Sequence, residues 1–155
     1  MLYPTAGARL YIADAPARGA GGVLPVAGWV EIGETEALGL LGVQWGVAST
    51  DLATEEYDGP DGYLVEYSVK TALRQSPMQI VLGNDPSDPG QVLLWTAARS
   101  TNHYPFRLVL PDGVSSRAWF GLVTALVEVF DSANSVMKLQ ADVLPATPII
   151  RNDGA

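Results

Sequence analysis

The chain has 155 residues, a net charge of −8, a single histidine and no cysteine. That length suits one domain, of the roughly 100–200 residues that a single hydrophobic core serves. The absence of cysteine excludes a disulfide framework, a thiolate zinc site and a thiol nucleophile, and one histidine excludes a two-histidine metal site within the chain.

The charge is unevenly placed. No Lys or Arg lies between Arg18 and Lys70, an interval that holds nine of the seventeen acidic residues. Such a surface repels phosphate, because affinity for nucleic acid rests mainly on Lys and Arg paired with phosphates. The opening Met1-Leu2-Tyr3-Pro4 has neither a basic nor an apolar leader character. The longest uncharged run, Ala37 to Thr50, is Gly-rich and shorter than the roughly 20 apolar residues a bilayer-spanning helix needs. A soluble protein synthesised in the cytoplasm is expected.

Sixteen Gly and eleven Pro cut the sequence into short pieces, most of which read as strands. Ala8 to Ala13 alternates apolar with small or polar residues, the period-2 pattern of a strand. A Gly/Pro-rich link from Asp14 to Pro25 is expected on the surface. Gly28 to Ile32 and Leu41 to Val47 read as strands, the second weakened by its glycines. A polar stretch then runs over residues 48–62. It contains Asp51, Glu55, Glu56, Tyr57, Asp58, Gly59, Asp61 and Gly62 and has no periodic apolar face. A loop this long in a compact domain is usually functional or disordered.

From Tyr63 the alternation returns. Tyr67, Val69, Thr71 and Leu73 are expected to face the core, and Ser68, Lys70 and Arg74 to face away from it. Pro77 bends the run, and Met78 to Leu82 continues it into a turn at Gly83-Asn84-Asp85. One helix is predicted next. Asp88 suits its N-cap, Pro89 its first position, Gln91 the third position of a capping box, and Arg99 its C-terminal end. Thr101-Asn102 end it. Strands are predicted over Phe106–Leu110, Arg117–Phe130 and Ser135–Leu144, with Asp112-Gly113 marking a hairpin turn.

Along the long strand Phe120, Leu122, Leu126 and Phe130 fall on one side, with Trp119, Val123, Val127 and Val129 among the others. Both faces therefore need cover, from the helix or from a neighbouring subunit. In the last strand Ser135, Met137, Leu139, Ala141 and Val143 read as core-facing, opposite Val136, Lys138, Gln140 and Asp142. Residues 145–155 read as an extended arm in which Ile149 and Ile150 are the adjacent apolar residues.

Little chemistry is written here. His103 follows the helix, where a capping or solvent-facing role is expected. Asp85-Pro86-Ser87-Asp88 and Asp58-Gly59-Pro60-Asp61-Gly62 lack the twelve-residue Ca²⁺ pattern with its terminal Glu, so turn and cap roles are expected for them. Trp29, Trp45, Trp95 and Trp119 sit in strand or helix patterns that favour core packing over a carbohydrate platform. No enzyme activity and no cofactor are expected, although a carboxylate pair among seventeen acids stays open.

The order of the pieces carries a resemblance. Phe106 to Gly113, Trp119 to Thr124 and Asn134 to Arg151 are the stretches most similar to the major tail tube proteins of long-tailed, siphovirus-like bacteriophages or phage-derived particles. The likeness is loose in motif and spans nearly the whole chain. It implies a mainly β fold, a β-sandwich or barrel-like tail tube domain over residues 1–155 with one flanking α-helix and a long loop. Residues 1–7 would be an N-terminal arm, 48–62 an inter-ring loop and 145–155 a C-terminal arm contacting a neighbour through Ile149 and Ile150.

The resemblance further implies hexameric rings of the protein itself, stacked into the tube of a virion tail. Its other partners would be the tape measure, tail terminator and tail tip proteins. DNA would transit the lumen without specific binding and without membrane insertion of the tube. Ser68, Lys70, Arg74, Lys138, Gln140 and Asp142 are the channel-facing candidates. The alternatives are another ring protein of a phage or injection device, a head decoration protein, and a carbohydrate-binding β-sandwich module.

Overall fold

The computed structural model describes residues 5–18, 22–53 and 64–153. By packing, the chain divides into a larger unit, Met1–Leu41 with Ser76–Ala155, and a smaller one, Gly42–Gln75. It is mainly β with one α-helix, as the sequence pattern predicts.

The larger unit holds eight strands: β1 (Arg9–Ala13), β2 (Trp29–Ile32), β3 (Thr35–Ala37), β6 (Met78–Gly83), β7 (Tyr104–Val109), β8 (Ser116–Val129), β9 (Lys138–Pro145) and β10 (Ile150–Asn152). The smaller unit supplies β4 (Val43–Ala53) and β5 (Leu64–Gln75). The larger sheet is antiparallel throughout, in the order β2-β1-β7-β8-β9-β6-β3, and β10 pairs with the start of β8.

The first and last strands in that order, β2 and β3, are consecutive in the chain and separated only by Gly33 and Glu34. A two-residue link cannot cross a flat seven-strand width, at nearly 5 Å per strand. The sheet therefore rolls until the ends of β2 and β3 come together at the Gly33-Glu34 link, without pairing to each other. Leu10, Ile12, Ile32, Ile80, Leu82, Phe106, Trp119, Leu139 and Val143, from six of its strands, then bury into a single cluster. The helix α1 (Pro89–Arg99) adds Leu94 and Ala97 to that cluster and packs against β8, β2 and β1.

The helix is made as its sequence dictates, with one change. Asp88 caps it by accepting from the Gln91 backbone N–H at 3.0 Å, and Pro89 stands at its first turn. A capping box would return the Gln91 side chain to the cap residue. Instead Gln91, 1% exposed, reaches across to other segments. Its Nε2 donates to the carbonyls of Gly33 (3.1 Å) and Gly83 (2.8 Å), and its Oε1 accepts from Asp85 N–H (3.0 Å). Asp88 Oδ2 also accepts from Gly33 N–H at 3.0 Å. The helix N-terminus thus fastens the β2–β3 corner where the sheet closes. Gly90 permits this approach, since a Cβ there would lie 2.6 Å from the Ile32 Cα.

Asp112-Gly113 forms the predicted turn between β7 and β8. Gly113 adopts φ +76°, and the Asp112 carboxylate accepts from Val114 N–H, Ser115 N–H and the Ser115 hydroxyl at 2.7–2.9 Å. The Asp85-Pro86-Ser87-Asp88 stretch is likewise a turn and a cap, with Asp85 Oδ1 accepting from Ser87.

Three expectations change. Strict alternation puts Val123 and Val127 on one face of β8, but the pairing with β9 shifts register between Val123 and Ala125. The extra residue hands the core position to Leu126, which packs on the cluster, and leaves Val127 50% exposed. In β9, Leu139, Ala141 and Val143 are buried as expected, but the strand begins at Lys138, so Ser135 and Met137 precede it and are exposed. Of the expected arm, residues 146–152 fold back on β8. Ala146 N–H donates to the Phe120 carbonyl, Thr147 Oγ1 accepts from Phe120 N–H, and β10 then pairs Ile150 with Ala118 along β8.

The smaller unit is a two-stranded antiparallel hairpin. Ten register pairs run from Val43↔Gln75 to Ala53↔Leu64, with a bulge between Trp45 and Val47. The stretch 48–53, expected as loop, is strand here, because each of its residues has a register partner on β5. Val69 and Leu73, expected in the core, are 43% and 51% exposed. Period-2 alternation identifies a strand but does not say whether anything in the same chain covers its apolar side.

Candidate functional site

Hairpin β4–β5 is built against the usual distribution of side chains. Val43, Trp45, Val47 and Leu73 are all exposed, at 55%, 41%, 65% and 51%. Trp45 and Leu73 are directly opposed, as are Val47 and Lys70, with Val43 two residues before Trp45. One apolar stripe therefore runs along the stem. Lys70 Nζ stands 5.2 Å from the Trp45 ring centroid, a cation–π contact that covers part of the indole. Ser49 and Ser68 share a hydroxyl hydrogen bond of 3.1 Å further along. An isolated two-stranded hairpin is at best marginally stable in water. A stem that also leaves its apolar stripe in solvent is shaped for contact with another surface.

A second uncovered surface lies on the sheet unit. It is an apolar groove of about 610 Å³ lined by Val23, Leu24, Phe120, Thr147, Pro148 and Ile150. The 22–24 segment lies over Phe120, since a Cβ on Gly22 would come 2.7 Å from the ring. This buries Phe120, while Val23 and Ile150 remain 87% and 56% exposed on the rims.

Among the channel-facing candidates, Ser68, Lys70 and Arg74 lie on β5 and are exposed. Lys138, Gln140 and Asp142 alternate along β9 and are half-buried. Lys138 pairs with Glu36 at 3.1 Å. Among the described residues neither Lys70 nor Arg74 has a carboxylate partner. Of the loop candidates, Asp51 lies in β4, with Glu66 of β5 as its register partner. Glu55, Glu56, Tyr57, Asp58, Gly59, Asp61 and Gly62 lie outside the described residues. Ile149 packs on the chain's own core, whereas Ile150 lines the groove.

No arrangement for bond-making chemistry is present among the described residues. None of their His, Asp and Glu side chains form a group of three placed for a metal ion. His103 is half-buried, and its backbone bridges to Ala17. Among the described residues, the two carboxylates with displaced titration are structural. Asp112 is held below its ordinary value by the Ser115 hydroxyl and by the backbone N–H groups of Ser115 and Val114, and Asp153 by Arg151 and then Arg117. Trp119 is wholly buried, Trp29 and Trp95 are half-buried, and Trp45 is exposed. Core packing thus holds for Trp119 and in part for Trp95, which packs against the core cluster, whereas Trp45 departs furthest from it. The glycines around Trp45, at 42 and 46, were the signal that this strand differs from a core strand.

No protein-family model and no curated protein matches the chain. Solved structures do match in fold. A chain of the sheath/tube terminator of an extracellular contractile injection system, PVC, is similar at TM-score 0.62 and 11% identity, covering 97% of this chain and 96% of that one. A chain of the anti-feeding prophage baseplate is similar at TM-score 0.63 and 10% identity, covering 93% and 89%. The SPP1 tail tube is similar at TM-score 0.55 and 12% identity, covering 94% and 76%. The resemblance read from the sequence therefore holds at a coarser level. The fold occurs in chains of phage tails and of contractile injection devices alike, and is not specific to long-tailed phages.

Proposed function

We propose that this protein is a structural subunit that forms rings and tubes in a phage-tail-like or related injection device. The observation that carries the reading is the hairpin, whose apolar stripe of Val43, Trp45, Val47 and Leu73 has no cover of its own. The fold likeness supports it, because nearly the whole of this chain is matched by chains from a tail tube, a tube terminator and a baseplate. The finer reading is a head-to-tail stack of hexameric rings around a lumen, carried outside the producing cell on the particle. Residues 48–62 would serve as the contact between rings, with Ser68, Lys70, Arg74, Lys138, Gln140 and Asp142 as lumen candidates. Whether the lumen passes DNA, as in a phage tail, or another cargo follows from the device and not from the fold.

The test is direct. A head-to-tail interface stacks without a built-in stop. Purified protein should be monomers or rings when dilute and hollow rods when concentrated, seen by negative-stain electron microscopy. Monomers that persist across concentration and salt, with tail tip components added, would remove this function. Tryptophan quenching by oligosaccharides would then favour a carbohydrate-binding module.

A further inference from the structure

The start of β8 carries an arginine in a row of leucines. Across the sheet Leu10 pairs with Leu108, Leu108 with Arg117, and Arg117 with Arg151 of β10. Cross-strand partners share a face. Leu10 and Leu108 are buried, and Ile149, two residues before Arg151, packs on the same cluster. Arg117 thus stands on the core side at the end of that row, with its side chain 17% exposed. Two cations directly opposed across a strand pair repel each other, and a largely buried guanidinium needs a counter-charge.

Among the described residues one carboxylate supplies it. Asp153 accepts from Arg117 Nη1 through Oδ1 at 2.9 Å and from Arg151 Nε through Oδ2 at 2.7 Å, one oxygen to each arginine. Asp112, which also feels Arg117, has its oxygens taken by Val114 and Ser115. The two ion pairs differ in weight. Arg151 and Asp153 are close in sequence and well exposed, so their pairing in water contributes little. The Arg117–Asp153 contact neutralises the more buried cation and ties the end of the chain to β8.

Little else holds β10. It is three residues long, and each is exposed. It covers β8 at Ser116–Ala118, beyond the stretch Gly121–Val129 that β9 pairs. Without β10 that length of β8 is an open sheet edge, a template for another strand.

The geometry points to the Arg117–Arg151 pair as an oxyanion site built jointly by β8 and β10, with Asp153 as its tethered occupant. The ligand class is a carboxylate or a phosphate, which sets one oxygen on each guanidinium as Asp153 does. β10 stays on β8 while an anion holds the two arginines together, and leaves when none does. The site therefore couples anion binding to whether the β8 edge is covered. It is independent of the tube-forming reading, since both arginines and Asp153 belong to one chain.

Asp153→Ala removes the occupant and leaves room for another. Amide hydrogen exchange at residues 150–152, followed by NMR in the dilute full chain, should quicken roughly fivefold. Inorganic phosphate should restore the parent rate, and sodium chloride at matched ionic strength should not. Adding Arg151→Gln to Asp153→Ala should abolish the phosphate effect. In the parent chain phosphate should change nothing, because the fork is filled. Unchanged exchange in Asp153→Ala overturns the inference, since backbone pairing and Ile149 then hold β10 without an anion. Recovery with chloride equal to that with phosphate also overturns it, by reducing the effect to screening. So does a phosphate recovery that survives Arg151→Gln.

Discussion

Gln91 holds three backbone groups from two segments with one amide, at a position 1% exposed. Replacing it with Leu keeps the helix propensity and the approximate volume but leaves a donor and two acceptors without their partner. Each buried polar group so stranded costs about 1–3 kcal/mol, so Gln91→Leu should lose about 3 kcal/mol. A shift in the urea midpoint at unchanged slope checks it. Asp112 makes a prediction about pH. Its folded-state pKa lies below the ordinary value of 3.8, so the stability it contributes is full above that value and is lost as pH falls through the folded one. Thermal scans from pH 5 to pH 2 should show Asp112→Ala with a shallower decline below about pH 4 than the parent chain. An unchanged slope would mean that the turn does not depend on the charge.

At the scale of elements, β8 shows how one inserted residue redirects a strand. Period-2 alternation assigned Val127 to the face of Val123, and the register shift beside Thr124 gave that place to Leu126. Leu126→Ala should therefore cost about 2 kcal/mol, and Val127→Ala should stay within about 0.5 kcal/mol. The reverse order would show that the bulge is absent in solution. The helix was legible for a different reason. Its cap, its Pro and its terminal Arg act within one turn of chain, so sequence alone places them. The Gln91 side chain was misassigned to a capping box because its partners, Gly33 and Gly83, lie outside the helix, 58 and 8 residues before Gln91 in sequence. The link at 22–24 was read as surface, yet it covers Phe120 and shapes one wall of the groove.

For the whole molecule the charge distribution makes its own prediction. A net charge of −8 is set against three bases among the lumen candidates, Lys70, Arg74 and Lys138, of which Lys138 is paired with Glu36, so few cations are free to release counterions from DNA. Assembled tubes should retain duplex DNA no better at low salt than at moderate salt. Tight retention that weakens steeply as salt is added would place a basic lining in the lumen and overturn the expectation that DNA transits it without binding.

Composition, period and turn chemistry by themselves determined that this is a mainly β chain with one capped helix and a hairpin at Asp112-Gly113. They also singled out the acidic stretch that includes Asp51. Each of these is set by forces acting over a few residues. Only the tertiary structure decided that the sheet rolls until the ends of β2 and β3 come together, that β8 shifts register, that the C-terminal segment returns as a strand on β8, and that Trp45 lies in solvent while Trp119 is buried. Those outcomes depend on which surfaces cover which. Alternation along a strand states only that an apolar side exists, and what covers it is fixed by residues far away in the chain or on another molecule.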